Sequence, residues 1–175
     1  MANTYVKIAS VTVTGATAAT IEFTSIPATF DDLVLKLSAR TNAATAYENL
    51  QLQFNSSGGT AYSDRILFSN AQNALSASNT AQASTFFQYA VSSTATASTF
   101  SSVDFYIPNY AGSTNKSLSV DSAAENNVAN TAFLGLAAEL WANTAAITSI
   151  KLTPNTGGSS FVTHSTAVLY GIKKS

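Results

Sequence analysis

Apolar side chains recur at every second position along most of this chain. Leucines occupy alternate positions of segment 33–37, and segment 50–54 repeats the pattern with Gln51 and Gln53 between its apolar residues. Because successive side chains of a strand point to opposite faces of a sheet, this period predicts half-buried β-strands. No amphipathic helical segment of about ten or more residues separates the apolar segments, which argues against a parallel α/β fold.

The same alternation and the turn residues predict the rest of the architecture. Pro108 and Pro154 should each end a strand, because proline cannot donate to a ladder. Segment 14–20 should join the first two strands as a hairpin. We therefore predict an all-β fold, one β-sandwich or jelly-roll-like domain of about nine to ten strands over residues 1–175. The further strands are expected around Val11 and Val13, Ile21 and Phe23, Val103 to Ile107, Leu118 and Val120, Ile150 and Leu152, and Phe161 to Ile172.

Four places need a separate interpretation. Residues 61–84, rich in Ala, Asn and Ser, are predicted to be a long loop or a short helix. Residues 132–142 favour a strand with both faces partly covered, because apolar residues occupy both alternating sets. The segment 92–98 reads as an exposed loop. Gly171 is expected to mark a bulge or a close backbone approach.

The composition indicates a neutral, polar surface. Only 10% of the residues are charged, the formal net charge is -1, and 46% are hydrophobic. Soluble proteins typically have about 25% charged residues. Because net charge keeps proteins apart in solution, a chain of this kind is suited to association with other proteins.

Several partner classes are not expected. The eight basic residues are scattered from Lys7 to Lys174, whereas nucleic-acid binding needs clustered cations. No run of about 20 apolar residues predicts a membrane span. The first ten residues show no signal peptide, so synthesis in a cytoplasm is expected. The chain has no cysteine, which excludes disulfides and thiolate chemistry.

The residues that could carry catalysis do not form a recognisable set, and we predict that the protein is not an enzyme. His164 is the only histidine, and we interpret it as a partly covered residue of the last strand. Glycosidases use two carboxylates that flank the scissile bond. Asp104 and Glu139 are the acidic residues within strand patterns, but alternation directs Asp104 towards solvent.

No cofactor or metal site is predicted. Asp121, Glu125, Asn126 and Asn127 form the densest group of oxygen ligands, and their spacing fits no EF-hand loop. We interpret them as a polar turn.

Five aromatic residues are candidates for an interaction surface: Phe86, Phe87, Tyr89, Tyr106 and Tyr110. Consecutive aromatics on one strand cannot all face a single interior, and tyrosines in a turn are often exposed. Two interpretations stay open, namely a two-sided strand with a tyrosine-anchored turn, or an interface patch, since aromatics are enriched at interface cores.

Four segments carry a family signature rather than a chemistry: TYVKIASVTVTG at 4–15, IPNYAGSTNKSLSVD at 107–121, WANTAAITSIKLTP at 141–154 and STAVLYGIKKS at 165–175. Together they resemble small virion structural proteins of tailed phages, notably marine and cyanobacterial ones. The resemblance covers nearly the whole chain, from Thr4 to Ser175, and is most specific at 107–121 and 165–175.

The resemblance implies a role on the phage particle. The expected function is a capsid decoration, or cement, protein that binds the major capsid protein lattice and stabilises the head. The expected assembly is a homo-oligomer, such as a trimer, at the particle surface. The alternative is a module of a tail or head fibre that recognises a host surface glycan through exposed aromatics such as Trp141.

Overall fold

The computed structural model describes residues 4–70, 73–127 and 132–173, with the side chains of Asn70 and Phe87 excepted. Within these ranges the chain forms fourteen β-strands and no helix, so the predicted all-β class is confirmed. No helix there is long and apolar enough to cross a membrane. The strands are β1 (Tyr5–Thr12), β2 (Thr17–Ala18), β3 (Ile21–Phe23), β4 (Asp32–Ala39), β5 (Tyr47–Phe54), β6 (Tyr62–Asn70), β7 (Asn73–Gln82), β8 (Thr85–Val91), β9 (Ser101–Pro108), β10 (Lys116–Ala124), β11 (Phe133–Trp141), β12 (Ile150–Pro154), β13 (Phe161–Val162) and β14 (Thr166–Ile172).

The strands form a β-sandwich of unequal sheets. The large sheet has eight strands in the order β1-β14-β4-β9-β10-β11-β6-β7, and the small sheet has four in the order β3-β12-β5-β8. Strands β2 and β13 pair separately as a short ribbon. All pairings between strands are antiparallel, and β8 of the small sheet crosses over β9, β10, β11 and β6 of the large one.

The core lies between the two sheets and is built from the alternation seen in the sequence. Leu33 and Leu35 of the large sheet and Leu50 and Leu52 of the small sheet are fully buried. Burying a leucine side chain stabilises the fold by about 1.5–3 kcal/mol. These positions therefore select the register in which each strand turns its apolar set inward.

Two predictions about chain path are wrong. The first two strands do not form a hairpin, because β1 pairs with β14 in the large sheet while β3 pairs with β12 in the small one. Within residues 61–84, the segments 62–70 and 73–82 are strands and not a loop or a helix, because β6 and β7 pair with each other and β6 also pairs with β11. Pairing with distant strands overrides the weak strand propensity of Ala, Ser and Asn.

Other local predictions are confirmed. Segment 133–141 is a strand, and Pro108 and Pro154 are the last residues of β9 and β12. At Gly171 the backbone approaches Phe30 so closely that a Cβ would lie 2.3 Å from the ring carbon Cγ. The interpretation of His164 as a strand residue is wrong, since it lies exposed in the turn before β14 with φ of 74°.

Candidate interaction surface

The two faces of the large sheet have different environments. Its inner face lies against the small sheet, and its outer face is covered by no described element. Outer-face side chains along β4, β9, β10 and β11 alternate with buried ones, as in the exposed-buried pattern of Phe133–Trp141. With strands about 4.8 Å apart and about 3.3 Å per residue, a face of eight such strands extends over on the order of 1,000 Å².

A group of exposed leucines lies on one half of this outer face, and we call Leu67, Leu134 and Leu136 the leucine patch. Their exposed fractions are 67%, 55% and 59%. Leu67 of β6 and Leu136 of β11 are direct cross-strand partners, and Leu134 lies two residues along the same face of β11. Contiguous exposed apolar surface on a soluble protein often marks an interaction site.

The leucine patch borders a shallow groove whose lining is mostly apolar or neutral. The groove has a volume of about 660 Å³ and runs across β7, β6, β11 and β10. Ser76, Ser119 and Ala138 line it beside Leu67 and Leu136. The groove's single charged lining residue is Arg65, whose guanidinium donates to the backbone oxygens of Asp64 (2.8 Å) and Asn79 (3.3 Å). Small polar side chains around the leucines keep this half of the face open to a flat partner.

The other half of the outer face is polar and aromatic, and we call Tyr5, Lys36, Asp104, Tyr106 and Asp121 the tyrosine groove. Its volume is about 450 Å³. Lys36 Nζ lies 2.5 Å from Asp104 Oδ2, and this hydrogen bond raises the pKa of Lys36 above its usual value. Tyr5 and Tyr106 are 56% and 41% exposed.

A hydrogen bond to Asp32 fixes the position of the Tyr106 hydroxyl. The hydroxyl donates to Asp32 Oδ2 at 2.8 Å, and that hydrogen bond is the main reason why the pKa of Tyr106 is raised. The other carboxylate oxygen of Asp32 accepts from Asn109 N at 2.9 Å. The aromatic ring of Tyr106 is therefore held in place at the surface.

The five aromatic candidates from the sequence do not form one surface. Phe86 and Tyr89 lie on β8 in the small sheet, whereas Tyr106 lies on β9 in the large one. The Tyr89 ring packs inward against Phe133 with centroids 3.6 Å apart, and burial raises the pKa of its hydroxyl. Phe86 is half-buried on the same strand. The side chain of Phe87 lies outside the described residues.

Tyr110 is a core residue, so its assignment to an interface patch is wrong. It is fully buried, and its hydroxyl donates to the carbonyl oxygen of Pro27 and accepts from Phe30 N at 3.4 Å. Its own carbonyl accepts from Ile147 N at 2.9 Å. Tyr110 therefore anchors the β9–β10 turn, the tyrosine-anchored alternative left open by the sequence.

Trp141 is not available as an exposed glycan contact. It is only 1% exposed, its ring stacks on Tyr62 with centroids 6.4 Å apart, and its Nε1 donates to Ser57 Oγ at 3.3 Å. Alternation along β11 explains the reversal, because Phe133 and Trp141 face inward whenever Leu134 and Leu136 face outward.

The acidic residues considered for chemistry are kept apart by the sandwich. Asp104 lies on the outer face of the large sheet and Glu139 on the inner face, where it is 1% exposed, so the two cannot flank one glycosidic bond. Glu125 Oε1 accepts from the backbone N of Asn126 (3.0 Å) and Asn127 (2.7 Å), which is the geometry of a turn. Among the described residues, no group of three or more His, Asp or Glu side chains could hold a metal ion.

The leucine patch was missed at the sequence level. Leu134 and Leu136 were expected to be partly covered, and Leu67 fell in the segment interpreted as a loop or helix. The available signal was the apolar set opposite Phe133 and Trp141. A strand with apolar residues on both faces, in a sheet with one covered face, must expose one of the sets.

The fold and this surface define the class of protein as an all-β sandwich with an exposed sheet face. No protein-family model matches the chain, and no curated protein sequence matches it. Among solved structures, the chain is similar to the galectin LEC-6 of Caenorhabditis elegans at 11% identity and a TM-score of 0.39, over 91% of this chain and 94% of the galectin.

Proposed function

We propose that this chain is a virion structural protein of a tailed phage, a capsid decoration protein that binds the major capsid protein lattice and stabilises the head. The observation that carries the proposal is the leucine patch on the uncovered face of the large sheet. The resemblance of the sequence to virion structural proteins supports the major capsid protein as the partner.

The dimensions and charge of the outer face fit a protein partner. A typical stable interface buries about 800 Å² on each side, and the outer face offers on the order of 1,000 Å². The groove beside the leucine patch is lined by one charged side chain, Arg65, whose guanidinium already has backbone acceptors, and the exposed Asp121 lies directly opposite Leu136 at its border. Docking on the leucine patch therefore desolvates at most these two charges, and burial of the leucines supplies the favourable free energy.

Binding of this kind stabilises a shell by mass action. A protein that binds the assembled lattice, and not the loosened one, shifts the equilibrium towards the intact head. The antiparallel sheet presents its leucines on paired strands, so little side-chain or loop ordering opposes the association.

The test compares head binding by variants of the purified chain. Replacing Leu67, Leu134 and Leu136 by serine should lower affinity for heads that lack the chain at least 100-fold, and should abolish the rise in the temperature at which the heads rupture. Serine is compatible with these positions because Ser69, Ser76 and Ser119 already occupy the same face. Tyr5→Ser, an exposed change on the tyrosine half, is the matched control. Wild-type binding by the leucine variant would contradict the proposal.

A second candidate function is recognition of a host surface glycan by a tail or head fibre module. The tyrosine groove favours it, because exposed aromatic rings beside carboxylates and an ammonium can contact both faces and hydroxyls of a sugar. Tyr5→Ser together with Asp121→Asn should then abolish binding to host polysaccharide, while Leu67→Ser together with Leu134→Ser, two changes outside the groove lining, retains it. Retention of glycan binding by the Tyr5 and Asp121 variant would reject the tyrosine groove as the site.

A further inference from the structure

Strand β7 forms an open edge of the large sheet. It pairs with β6 on one side and with no described strand on the other. It is ten residues long, and its sequence NALSASNTAQ contains no charged residue, proline or glycine. An edge strand presents unpaired backbone N–H and C=O groups, and natural proteins usually protect such an edge.

The other sheet edges are protected in recognised ways. Edge strand β1 carries the exposed Lys7 and an irregular register between Lys7 and Ala9. Edge strand β3 is three residues long. Edge strand β8 lies across the large sheet and ends in a bridge from Val91 to Arg40. Lysines, bulges, short length and coverage all discourage edge pairing, and β7 has none of these over residues 73–79.

We infer that β7 pairs antiparallel with β7 of a second copy of this chain, which joins two large sheets into one continuous sheet. Antiparallel pairing of a strand with its own copy satisfies a two-fold axis, the commonest symmetry of homo-oligomers. Because β7 carries no charge, no like charges meet across the axis. The inference does not depend on the particle to which the chain belongs.

The backbone geometry selects the residues that would pair. Only two residues separate β6 from β7, so the Asn70–Asn73 pair closes their hairpin with backbone groups directed at each other. Alternate residues then direct their N–H and C=O groups to the free edge, namely Ala74, Ser76 and Ser78. Pairing is limited on the far side by Ala81, which has φ of 56° beside a register shift.

A two-fold axis at Ser76 also accounts for the exposed Leu75. In that register Ser76 faces its own copy, and Leu75 of each chain lies opposite Ala77 of the other on the inner side of the joined sheet. Leu75 is 46% exposed in the single chain, and the small alanine opposite leaves it room. Cross-strand pairs of this kind are the unit that stabilises a sheet.

The joined sheet would also bring the two leucine patches towards the axis, because Leu67 lies on β6 directly beside Ser76. Two copies would then present one extended apolar surface. A dimer therefore binds a lattice through two linked contacts, and effective concentration strengthens the second contact.

The experiment uses sedimentation and a single cysteine. The purified chain should sediment as a dimer at micromolar concentration, and Ser76→Lys should raise the dissociation constant at least tenfold by placing two ammonium groups at the axis. Ser117→Lys, a matched change at an exposed serine of the interior strand β10, should leave it unchanged. Because the chain has no cysteine, Ser76→Cys should form a disulfide-linked dimer on mild oxidation, and Ser117→Cys should not.

A monomer at every accessible concentration would overturn the inference, as would a dimer that Ser76→Lys leaves intact. Circular dichroism of each variant shows whether its fold is kept, and the Ser76→Cys result decides the question if the lysine variant fails to fold. Head binding by a strictly monomeric chain would leave the proposed function standing and reject only the edge pairing.

Discussion

Single residues in this fold are constrained where backbone segments approach each other closely. Gly171 shows this best, because its strand position is ordinary but the Phe30 ring occupies the space of a side chain. The sequence pattern predicted a bulge or a close backbone approach at this glycine. It could not identify Phe30 as the contact, because Phe30 is 141 positions away in the chain and outside any strand.

Gly171→Ala should lower the free energy of unfolding by about 1–3 kcal/mol, since the added Cβ overlaps the root of the Phe30 ring. Chemical denaturation measures this directly. Gly15→Ala is the control, because nothing lies within 4 Å of its Cβ. If Phe30→Ala in the same chain does not relieve the cost of Gly171→Ala, the assigned cause is wrong.

The effect of Asp64 on folding stability depends on its burial at the inner face of the large sheet. Asp64 is 2% exposed, it lies directly opposite Glu139, and its Oδ1 accepts from Asn79 Nδ2 at 3.1 Å. Its Oδ2 is buried without a hydrogen bond from the described residues. Burial raises the pKa of Asp64, against smaller opposing effects of Asn79 and Arg65.

A carboxyl group whose pKa is raised on folding binds its proton more tightly in the folded state. Asp64 therefore favours folding at low pH, and this contribution is lost as the pH rises from about 4 through the raised value. Asp64→Asn should increase stability at pH 7 by about 1 kcal/mol, the scale of a buried unpartnered polar group, and should flatten stability against pH above 4. The exposed Asp121→Asn should leave the stability at pH 7 nearly unchanged. Lower stability of Asp64→Asn at pH 7 would contradict this account.

At the scale of elements, the predictability of each strand follows the contrast between its two faces. Strands such as β4 and β5 combine buried leucines with polar neighbours, and both could be predicted. Strands β6 and β7 could not, because their alanines, serines and asparagines give little contrast and their pairing with β11 is non-local. The exposure of the leucine patch could not be predicted either, because it depends on which face the small sheet covers.

The loop at 92–99 is held at its start by backbone hydrogen bonds from Ser92 and Thr94 to Ala46 and Thr45, and over its later residues by one side chain. The Arg40 guanidinium donates to the carbonyl oxygens of Ala95 (3.1 Å), Thr96 (2.8 Å) and Thr99 (3.1 Å). Arg40→Lys should lower stability by about 1–2 kcal/mol and should increase cleavage of the loop by elastase, because an ammonium cannot span these acceptors. Equal cleavage rates for the wild type and Arg40→Lys would show that the loop is ordered by other contacts.

At the scale of the whole molecule, the low charge and the uncovered sheet face both favour association with other proteins. Ten per cent charged residues leave the surface neutral, and the sandwich places leucines where a helix or a third layer would otherwise lie. The sequence-level expectation of an association-prone surface stays a prediction. Of the aromatic residues it selected, Tyr110 is buried, Phe86 and Tyr89 are half-buried on β8, and Tyr106 is exposed on the outer face. The leucines of two neighbouring strands are the better candidates.

The most direct test of the proposed function is a reconstruction of the virion that contains this chain. The account predicts density for the β-sandwich over the head, with the face that carries Leu67, Leu134 and Leu136 against the major capsid protein. Density for the chain only at the tail or at one vertex, or on the head with that face towards solvent, would contradict it.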